Sequence, residues 1–276
     1  MINFTKMHGL GNDFVVIDAV TQAIDLTLAQ IRFIADRHLG IGCDQLLLIE
    51  KPDVGSHADF KYRIFNADGS EVGQCGNGVR CLARFVRDKQ LSQKQDILVD
   101  TNARQLLLRF DDNDLITVNM GVPLHAPADI PLLTDTEALS YHISVNDHEW
   151  AFGAVSMGNP HAVIQVDNLS IAPVNEVGKA LESHRFFPEK ANIGFMQILN
   201  RQQIKLRVFE RGAGETRACG SGACAAAVVG IEQKLLDSTV KVALPGGDLT
   251  IQWQGRGQPV FMTGPAVSVF DGQIML

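Results

Sequence analysis

The cysteines at positions 75 and 219 are the residues of this chain with the clearest capacity for chemistry. Each lies in a similar phrase: residues 61–83 read KYRIFNADGSEVGQCGNGVRCLA, and residues 205–227 read KLRVFERGAGETRACGSGACAAA. The two phrases align without a gap at a separation of 144 residues, which brings Cys75 into register with Cys219. A duplicated phrase with one thiol in each copy predicts a pocket in which two cysteines face one substrate.

Each of these thiols is followed by Gly-x-Gly and a predicted helix, so it would lie at a helix N-terminus. Unpaired N–H groups and the helix dipole favour an anion there. The same field lowers the pKa of a thiol from about 8.5. A thiolate on one face of a carbon can remove a proton while a thiol on the other face returns one, which inverts the centre. This is the chemistry of a racemase or epimerase without a cofactor, and no convincing Schiff-base lysine or phosphate cup indicates a pyridoxal enzyme.

The two copies differ at positions that could select a substrate. Glu210 and Arg211 stand where the first copy has Asn66 and Ala67. An adjacent acid and base would suit a distal zwitterionic group, with the arginine on a carboxylate and the glutamate on an ammonium. A solvated charge pair at the end of a strand is the other interpretation. His161 lies in a Gly-Asn block that also repeats, and it could be functional or an ordinary core or surface histidine.

Composition excludes several classes of function. The chain has 276 residues, a net charge of −7 and no run of Lys or Arg, which argues against a nucleic-acid partner. It shows no membrane-length apolar run and no signal-peptide pattern at its start. Its five cysteines include no CxxC pair, which favours free thiols over disulfides or zinc. We therefore expect a cytoplasmic protein with a small-molecule substrate, no metal and no cofactor.

The repetition extends over the whole chain and predicts its domains. MHGLGNDFVVID (7–18) resembles SMGNPHAVIQVD (156–167), and ITVNMGVP (116–123) resembles PVFMTGPA (259–266). Two copies of one unit are indicated, and a solenoid would need more and shorter repeats. We predict an N-terminal domain of residues 1–119 completed by 264–276, and a C-terminal domain of residues 120–263.

Short β-type runs alternate irregularly with helix candidates in both copies. The predicted helices cover 27–39, the residues after Cys75, 172–184 and 220–235. The pattern is typical of an α+β fold with two pseudo-symmetric domains. Each domain would be a mixed, mostly antiparallel sheet that curls around a central helix, with the active site in the cleft between the domains.

With these residues in view, the chain closely resembles the diaminopimelate epimerase family from end to end. The motifs that carry the resemblance are KMHGLGNDFVVID, GIGCDQ, FNADGSEVGQCGNGVRC, GNPHAV, ERGAGETRACGSGACA and MTGPA. The resemblance implies interconversion of LL- and meso-diaminopimelate, on the route to lysine and peptidoglycan, without pyridoxal phosphate or metal. It implies that Cys75 and Cys219 are the two acid/base thiols and that His161 and Glu210 tune their protonation. The substrate-binding residues that it implies are Asn12, Gln45, Asn66, Gly76, Asn77, Asn159, Asn192, Glu210, Arg211, Gly220 and Ser221.

The resemblance also implies a homodimer, with an aromatic residue near the C-terminus in the contact. Phe270 stands at that position, where a tyrosine is expected. Two alternatives remain at this point. One is a racemase of another amino acid on the same scaffold, against which the Glu210–Arg211 pair argues. The other is a thiol redox or metal-binding protein that uses Cys75 and Cys219.

Overall fold

The chain forms two compact units. A computed structural model describes every residue except 74, 103 and 147. Unit 1 consists of Met1–Asn119 together with Thr263–Leu276, and unit 2 consists of Met120–Met262. Unit 1 is thus built from two separate stretches of sequence, whereas unit 2 is continuous.

Unit 1 is one mixed sheet with helices packed on it. Its elements are β1 (Ile2–Gly9), β2 (Asn12–Asp18), α1 (Leu28–Ala35), β3 (Gln45–Glu50), β4 (Phe60–Asn66), β5 (Glu71–Val72), α2 (Gly76–Asp88), β6 (Asp96–Asp100), β7 (Gln105–Phe110), β8 (Ile116–Gly121, whose end enters unit 2) and β18 (Val267–Ile274). The strands pair in the order β18-β1-β2-β3-β4-β6-β7-β8, and β5 also pairs with β4. The β2–β3 and β4–β6 pairs are parallel, and the other pairs are antiparallel.

The middle strands β2 and β3 each carry four consecutive buried apolar residues, at 14–17 and 46–49, because both of their faces are covered. Leu46 packs in one cluster with Ile34 of α1. On the other face, a Cβ added to Gly78 of α2 would lie 3.3 Å from side-chain atoms of both Leu47 and Phe14. Consecutive residues of β3 therefore face different helices, as the two-residue period of a strand requires.

Helix α1 begins where the sequence predicts and ends earlier. Thr27 caps its N-terminus in a capping box with Gln30, an arrangement that satisfies two N–H groups reciprocally. The predicted range was 27–39, but the helix ends at Ala35. Asp36 leaves the helical conformation (φ −64°, ψ 124°), and its Oδ1 accepts the N–H groups two and three residues ahead, at 2.7 and 2.8 Å. This local turn competes with a further helical turn.

Unit 2 repeats the arrangement of unit 1. Its elements are β9 (Tyr141–Val145), β10 (His148–Ser156), β11 (Pro160–Gln165), α3 (Val174–Glu182), β12 (Asn192–Asn200), β13 (Gln203–Glu210), β14 (Gly214–Thr216), α4 (Gly220–Glu232), β15 (Thr239–Leu244), β16 (Gly247–Gln252) and β17 (Val260–Gly264, whose end enters unit 1). The strand order is β9-β10-β11-β12-β13-β15-β16, with β14 on β13 and parallel β11–β12 and β13–β15 pairs. The outer strand β9 precedes its neighbour in sequence, whereas its counterpart β18 comes from the far end of the chain.

Helices α2 and α4 are the central helices of their units. Helix α2 contacts β18 and β1 at one end of the strand order and β7 near the other, and α4 is buried over most of its length. The predicted fold class, a mixed sheet curled around a central helix in two repeated domains, is confirmed. None of the helices in the described part of the chain has both the length and the apolar character to span a membrane.

Candidate active site

In unit 1, predicted substrate-binding residues collect at one edge of the sheet. Asn12 is the first residue of β2, Gln45 is the first of the parallel strand β3, and Asn66 is the last of the antiparallel strand β4. Gln45 is in register with Asn66, and its Nε2 donates to Asn66 Oδ1 at 3.0 Å. The strand directions therefore bring three amide side chains to the same edge.

Cys75 caps the N-terminus of α2 beside this edge. Its backbone is extended (φ −143°, ψ 119°), and its N–H donates to the Tyr62 hydroxyl at 2.8 Å. Its Sγ donates to Asn12 Oδ1 at 3.7 Å, and Asn77 Nδ2 donates to the same oxygen at 3.2 Å. Cys75 is partly exposed, whereas Cys43 and the three remaining cysteines are buried. The structure thus groups Cys75, Asn12 and Asn77 around one amide oxygen, next to Gly76 at the start of the helix.

The corresponding edge of the sheet in unit 2 carries charged residues. Asn192 begins β12 and Glu210 ends β13. Asn192 Nδ2 donates to the carbonyl of Pro160 at 3.0 Å, and its Oδ1 accepts the N–H of Arg211 at 3.0 Å. The Arg211 guanidinium is exposed and donates to the carbonyl of Glu189 at 2.9 Å. Asn192 thereby fixes the turn that carries Arg211.

Cys219 caps the N-terminus of α4, immediately before Gly220, and faces a carboxylate. Its Sγ lies 3.1 Å from Glu210 Oε2 and 3.7 Å from Ser221 Oγ, and the other Glu210 oxygen accepts the Thr216 hydroxyl. Burial, together with the negative charge of Glu210, raises the pKa of the Cys219 thiol well above its ordinary value. The sequence predicted a lowered pKa at this helix N-terminus. That prediction is wrong for Cys219 because desolvation of a thiolate outweighs the helix field.

His161 is buried in unit 2 and reaches the start of α4 through an asparagine. Its Nε2 lies 3.1 Å from Asn159 Oδ1, and Asn159 Nδ2 donates to Ser221 Oγ at 3.4 Å. His161 takes the register position that Phe14 takes in unit 1. Burial and the positive charge of Arg211 lower the pKa of His161 to about 3, so the imidazole is neutral at physiological pH.

The remaining sequence expectations concern residues away from these two edges. Cys43, Cys81 and Cys224 are buried core residues. Phe270 lies on β18, is 50% exposed, and makes an edge contact with Phe4 at 6.0 Å between ring centroids. Among the described residues, no three His, Cys, Asp or Glu side chains lie close enough together to hold a metal ion.

Sequence reasoning missed several residues that contact the site residues of unit 1. Tyr62 supports the backbone of Cys75, and Arg80 donates to Asn77 Oδ1 at 2.8 Å. Asp44 accepts from Asn12 Nδ2 at 3.0 Å. A signal for two of them was present, because the repeat is broken at Tyr62 (Leu206 in the second copy) and at Arg80 (Cys224).

The fold is the one found in a class of racemases, epimerases and related proteins. A probable proline racemase from Agrobacterium radiobacter superimposes with a TM-score of 0.72 at 14% sequence identity, over 100% of this chain and 93% of that one. A hydroxyproline epimerase from Agrobacterium vitis gives a TM-score of 0.69 at 15% identity, over 98% and 91% of the two chains. A phenazine biosynthesis protein from Bacillus anthracis gives 0.70 at 17% identity, over 100% and 99%. At this level of identity the likeness establishes the fold alone.

Sequence comparison then identifies the family. The family profile described as diaminopimelate epimerase matches residues 4–125 and 153–269. The diaminopimelate epimerase of Nitrosomonas europaea is 58% identical over 275 residues, which is 100% of this chain and 99% of that protein. The diaminopimelate epimerase of Teredinibacter turnerae is 57% identical over the same coverage. The chain belongs to the diaminopimelate epimerase family, and the resemblance predicted from its sequence motifs is confirmed.

Proposed function

We propose that this enzyme interconverts LL- and meso-diaminopimelate by moving the α-proton between two thiols. The observation that carries the proposal is the position of Cys75 and Cys219, each of which caps the N-terminus of a thirteen-residue helix in one of two repeated units. A helix start offers unpaired N–H groups for a carboxylate. The backbone at Gly76–Asn77 and Gly220–Ser221 would hold the carboxylate of the reacting centre, next to the thiols.

The surroundings of the two thiols suggest how the proton moves. The raised pKa of Cys219 keeps it protonated, so it is suited to deliver its proton to the α-carbon. The delivery leaves a Cys219 thiolate beside the Glu210 carboxylate, 3.1 Å away, and this thiolate is the base of the reverse reaction. In the direction in which Cys219 delivers the proton, Cys75 removes the α-proton as a thiolate and becomes a thiol. The reverse reaction exchanges the two roles. Helix N–H donors and exclusion of water would stabilise the carbanion that develops between these steps.

The distal end of the substrate requires an asymmetric set of contacts. The exposed guanidinium of Arg211 donates to the carbonyl of Glu189, and Asn192 accepts the backbone N–H of Arg211. This placement suits the guanidinium to a distal carboxylate. Asn66, with Gln45 as its partner, offers amide groups for the same zwitterion. Asn12, Asn77, Asn159 and Glu210 complete the substrate-binding set that we propose, with His161 acting on Asn159.

The test is α-hydrogen exchange in D2O without pyridoxal phosphate. LL-diaminopimelate should incorporate deuterium and yield the meso isomer, whereas Cys75→Ala and Cys219→Ala should each abolish net epimerisation. Cys43→Ala removes a buried thiol elsewhere in unit 1 and should retain turnover. Full turnover in Cys75→Ala would refute the two-thiol assignment. Exchange of proline at a comparable rate would instead favour a racemase of another amino acid, and activity on a dithiol with none on amino acids would favour a redox protein.

We further propose that the enzyme is a cytoplasmic homodimer. A reducing compartment suits its free cysteines. Strand β18 exposes Val267, Val269 and Phe270 to solvent, and an apolar strand surface of this kind suits a second copy of the chain. Sedimentation of Phe270→Asp should show a loss of dimer. A parent chain that sediments as a monomer at micromolar concentration would contradict the proposal.

A further inference from the structure

We propose that Asp44 is a positioning residue that sets the direction of the Asn12 amide, so that an acceptor oxygen and not an N–H group faces the Cys75 thiol. The inference deepens the proposed function and rests on the role of Cys75 in it. It concerns only side chains of unit 1, near the starts of β2, β3 and α2.

The amide of Asn12 lies in a line of hydrogen bonds whose two ends have fixed polarity. At one end, Asn12 Nδ2 donates to Asp44 Oδ2 at 3.0 Å. In the middle, Asn77 Nδ2 donates to Asn12 Oδ1 at 3.2 Å. At the other end, the guanidinium of Arg80 donates from Nη2 to Asn77 Oδ1 at 2.8 Å. A carboxylate only accepts and a guanidinium only donates. Reversing either amide would therefore place two donors or two acceptors against each other.

Both ends of the line are themselves anchored. Arg80 is 0% exposed and also donates to the carbonyl oxygens of Gly76 and Pro265, at 3.2 Å each. Asp44 is held by the N–H of Asp13, which donates to its Oδ2 at 3.1 Å, and by Arg37, whose Nη2 donates to its Oδ1 at 2.7 Å.

The charged groups around Asp44 form one network. Burial alone would raise the pKa of Asp13. Hydrogen bonds from Arg37 and Lys6 nevertheless hold this pKa well below its usual range, so the carboxylate remains ionised. Asp13 Oδ1 in turn accepts the N–H of Asp44 at 2.9 Å. The Asp44 carboxylate, which accepts from Asn12, thus lies in a network of charged groups from the β1, β2 and α1 regions.

This orientation matters because Cys75 Sγ lies 3.7 Å from Asn12 Oδ1. When Cys75 takes the α-proton, the new S–H finds an acceptor already in place. The same oxygen repels a thiolate, which makes the thiolate a stronger base toward a weakly acidic α-proton. If the amide were reversed, its N–H group would stabilise the thiolate and leave the new thiol without this acceptor.

The second copy does not carry the same arrangement among its described residues. The corresponding asparagine, Asn159, directs its Nδ2 toward the start of α4, at Ser221, and its Oδ1 toward His161. Cys224 stands at the position of Arg80. The line from Arg80 to Asp44 therefore belongs to the copy that holds Cys75, and Glu210 provides the acceptor for the thiol in the other copy.

Asp44→Asn tests the proposal, because a neutral amide at position 44 can offer its own N–H to Asn12. The present direction of the Asn12 amide is then favoured by the 3.2 Å bond from Asn77 but no longer by a carboxylate, so this amide can reverse more easily. Alkylation by iodoacetamide, followed by mass spectrometry of the Cys75 peptide, reports on the thiolate without requiring turnover. Cys75 is the partly exposed cysteine and the other four are buried. We expect alkylation of Cys75 at pH 7 to become about tenfold faster in Asp44→Asn, with its pH profile displaced toward lower pH. We expect kcat to fall about tenfold, equivalent to about 1.4 kcal/mol, with KM within twofold of the parent.

A double-mutant cycle separates orientation from simple loss of charge. In an Asn12→Ala background, Asp44→Asn should change the alkylation rate less than twofold. The same tenfold increase in that background would overturn the proposal, since Asp44 would then act by its charge alone. Arg37→Met removes the guanidinium that also donates to Asp44, but it leaves the carboxylate in place and held by the N–H of Asp13, so it should not accelerate alkylation. An unchanged alkylation rate in a folded Asp44→Asn protein would also overturn it. The proposed epimerisation is measured separately by deuterium exchange in the parent, so the two ideas can fail independently.

Discussion

Adding one methyl group at Gly222 should displace the Cys219 thiol, and the repeat supplies a matched control for this change. A Cβ built on Gly222 would lie 3.1 Å from Cys219 Sγ and 3.0 Å from Val208 Cγ2. The equivalent residue of the other copy is Gly78, whose Cβ would lie 3.3 Å from Leu47 and touch no thiol among its three nearest contacts. Both glycines lie in the first turn of their helices.

The magnitudes separate the effect on stability from the effect on activity. Replacing a helical glycine by alanine gains up to about 1 kcal/mol in helix propensity, and crowding a packed core costs about 1–3 kcal/mol. Both variants should therefore lose roughly 0–2 kcal/mol of unfolding free energy. In Gly222→Ala the sulfur must also move by a few tenths of an ångström. Because a misplacement of about 1 Å can cost 10²-fold in rate, we expect a fall of about tenfold in kcat/KM, with Gly78→Ala within about threefold of the parent.

The assay is deuterium exchange of LL-diaminopimelate, combined with urea unfolding of each variant. If Gly222→Ala and Gly78→Ala both keep the activity of the parent at equal stability, the thiol of Cys219 does not need the position that the structure gives it. Equal losses of activity in both variants would likewise refute the reasoning, because the defect would then come from helix packing in general.

Three further predictions concern stability. His161 has a pKa of about 3 in the folded chain against an ordinary 6.5. Its contribution to the free energy of unfolding is therefore complete above pH 6.5 and is lost as the pH falls toward 3, at up to about 1.4 kcal/mol per pH unit. In urea unfolding, the free energy of unfolding of His161→Gln should depend less steeply on pH between these two values. Tyr62→Phe should lower the free energy of unfolding by about 1–3 kcal/mol because it removes the hydroxyl that accepts the Cys75 N–H. A loss below about 0.5 kcal/mol in thermal unfolding would contradict this. Thr27→Ala should cost about 1 kcal/mol by removing the cap of α1, whereas Thr27→Ser should be close to neutral.

Much of the fold can be predicted from the sequence, because the repeat and the apolar runs are visible in the order of the residues along the chain. QLLLIE at 45–50 is one of the short β-type runs and coincides with β3. Cys75 and Cys219, each followed by Gly-x-Gly, lie at helix starts as predicted. The early end of α1 was missed because Asp36 turns the chain through its own side chain, a contact that the apolar period of the helix does not reveal.

The candidate site was predictable in its residues more than in its electrostatics. The pKa of Cys219 is raised by burial and by Glu210 at 3.1 Å, and both causes arise from how β13 packs beside α4. In the sequence, Asp44 is recognisable only as part of the motif GIGCDQ. Its contact with Asn12 comes from the parallel pairing of β2 with β3, which brings residues 32 positions apart into hydrogen-bond distance.

The pairing of β18 with β1 has a consequence for the order in which the units can form during synthesis. Domains usually fold from the N-terminus as the chain emerges from the ribosome. Here the outer strand of unit 1 pairs Ile274 with Ile2, so this sheet stays incomplete until translation has passed residue 274. Unit 2 is continuous and has all of its residues once Met262 has been made. On the ribosome the second unit can therefore complete its folding first, and the edge of β1 stays unpaired until β18 has been translated.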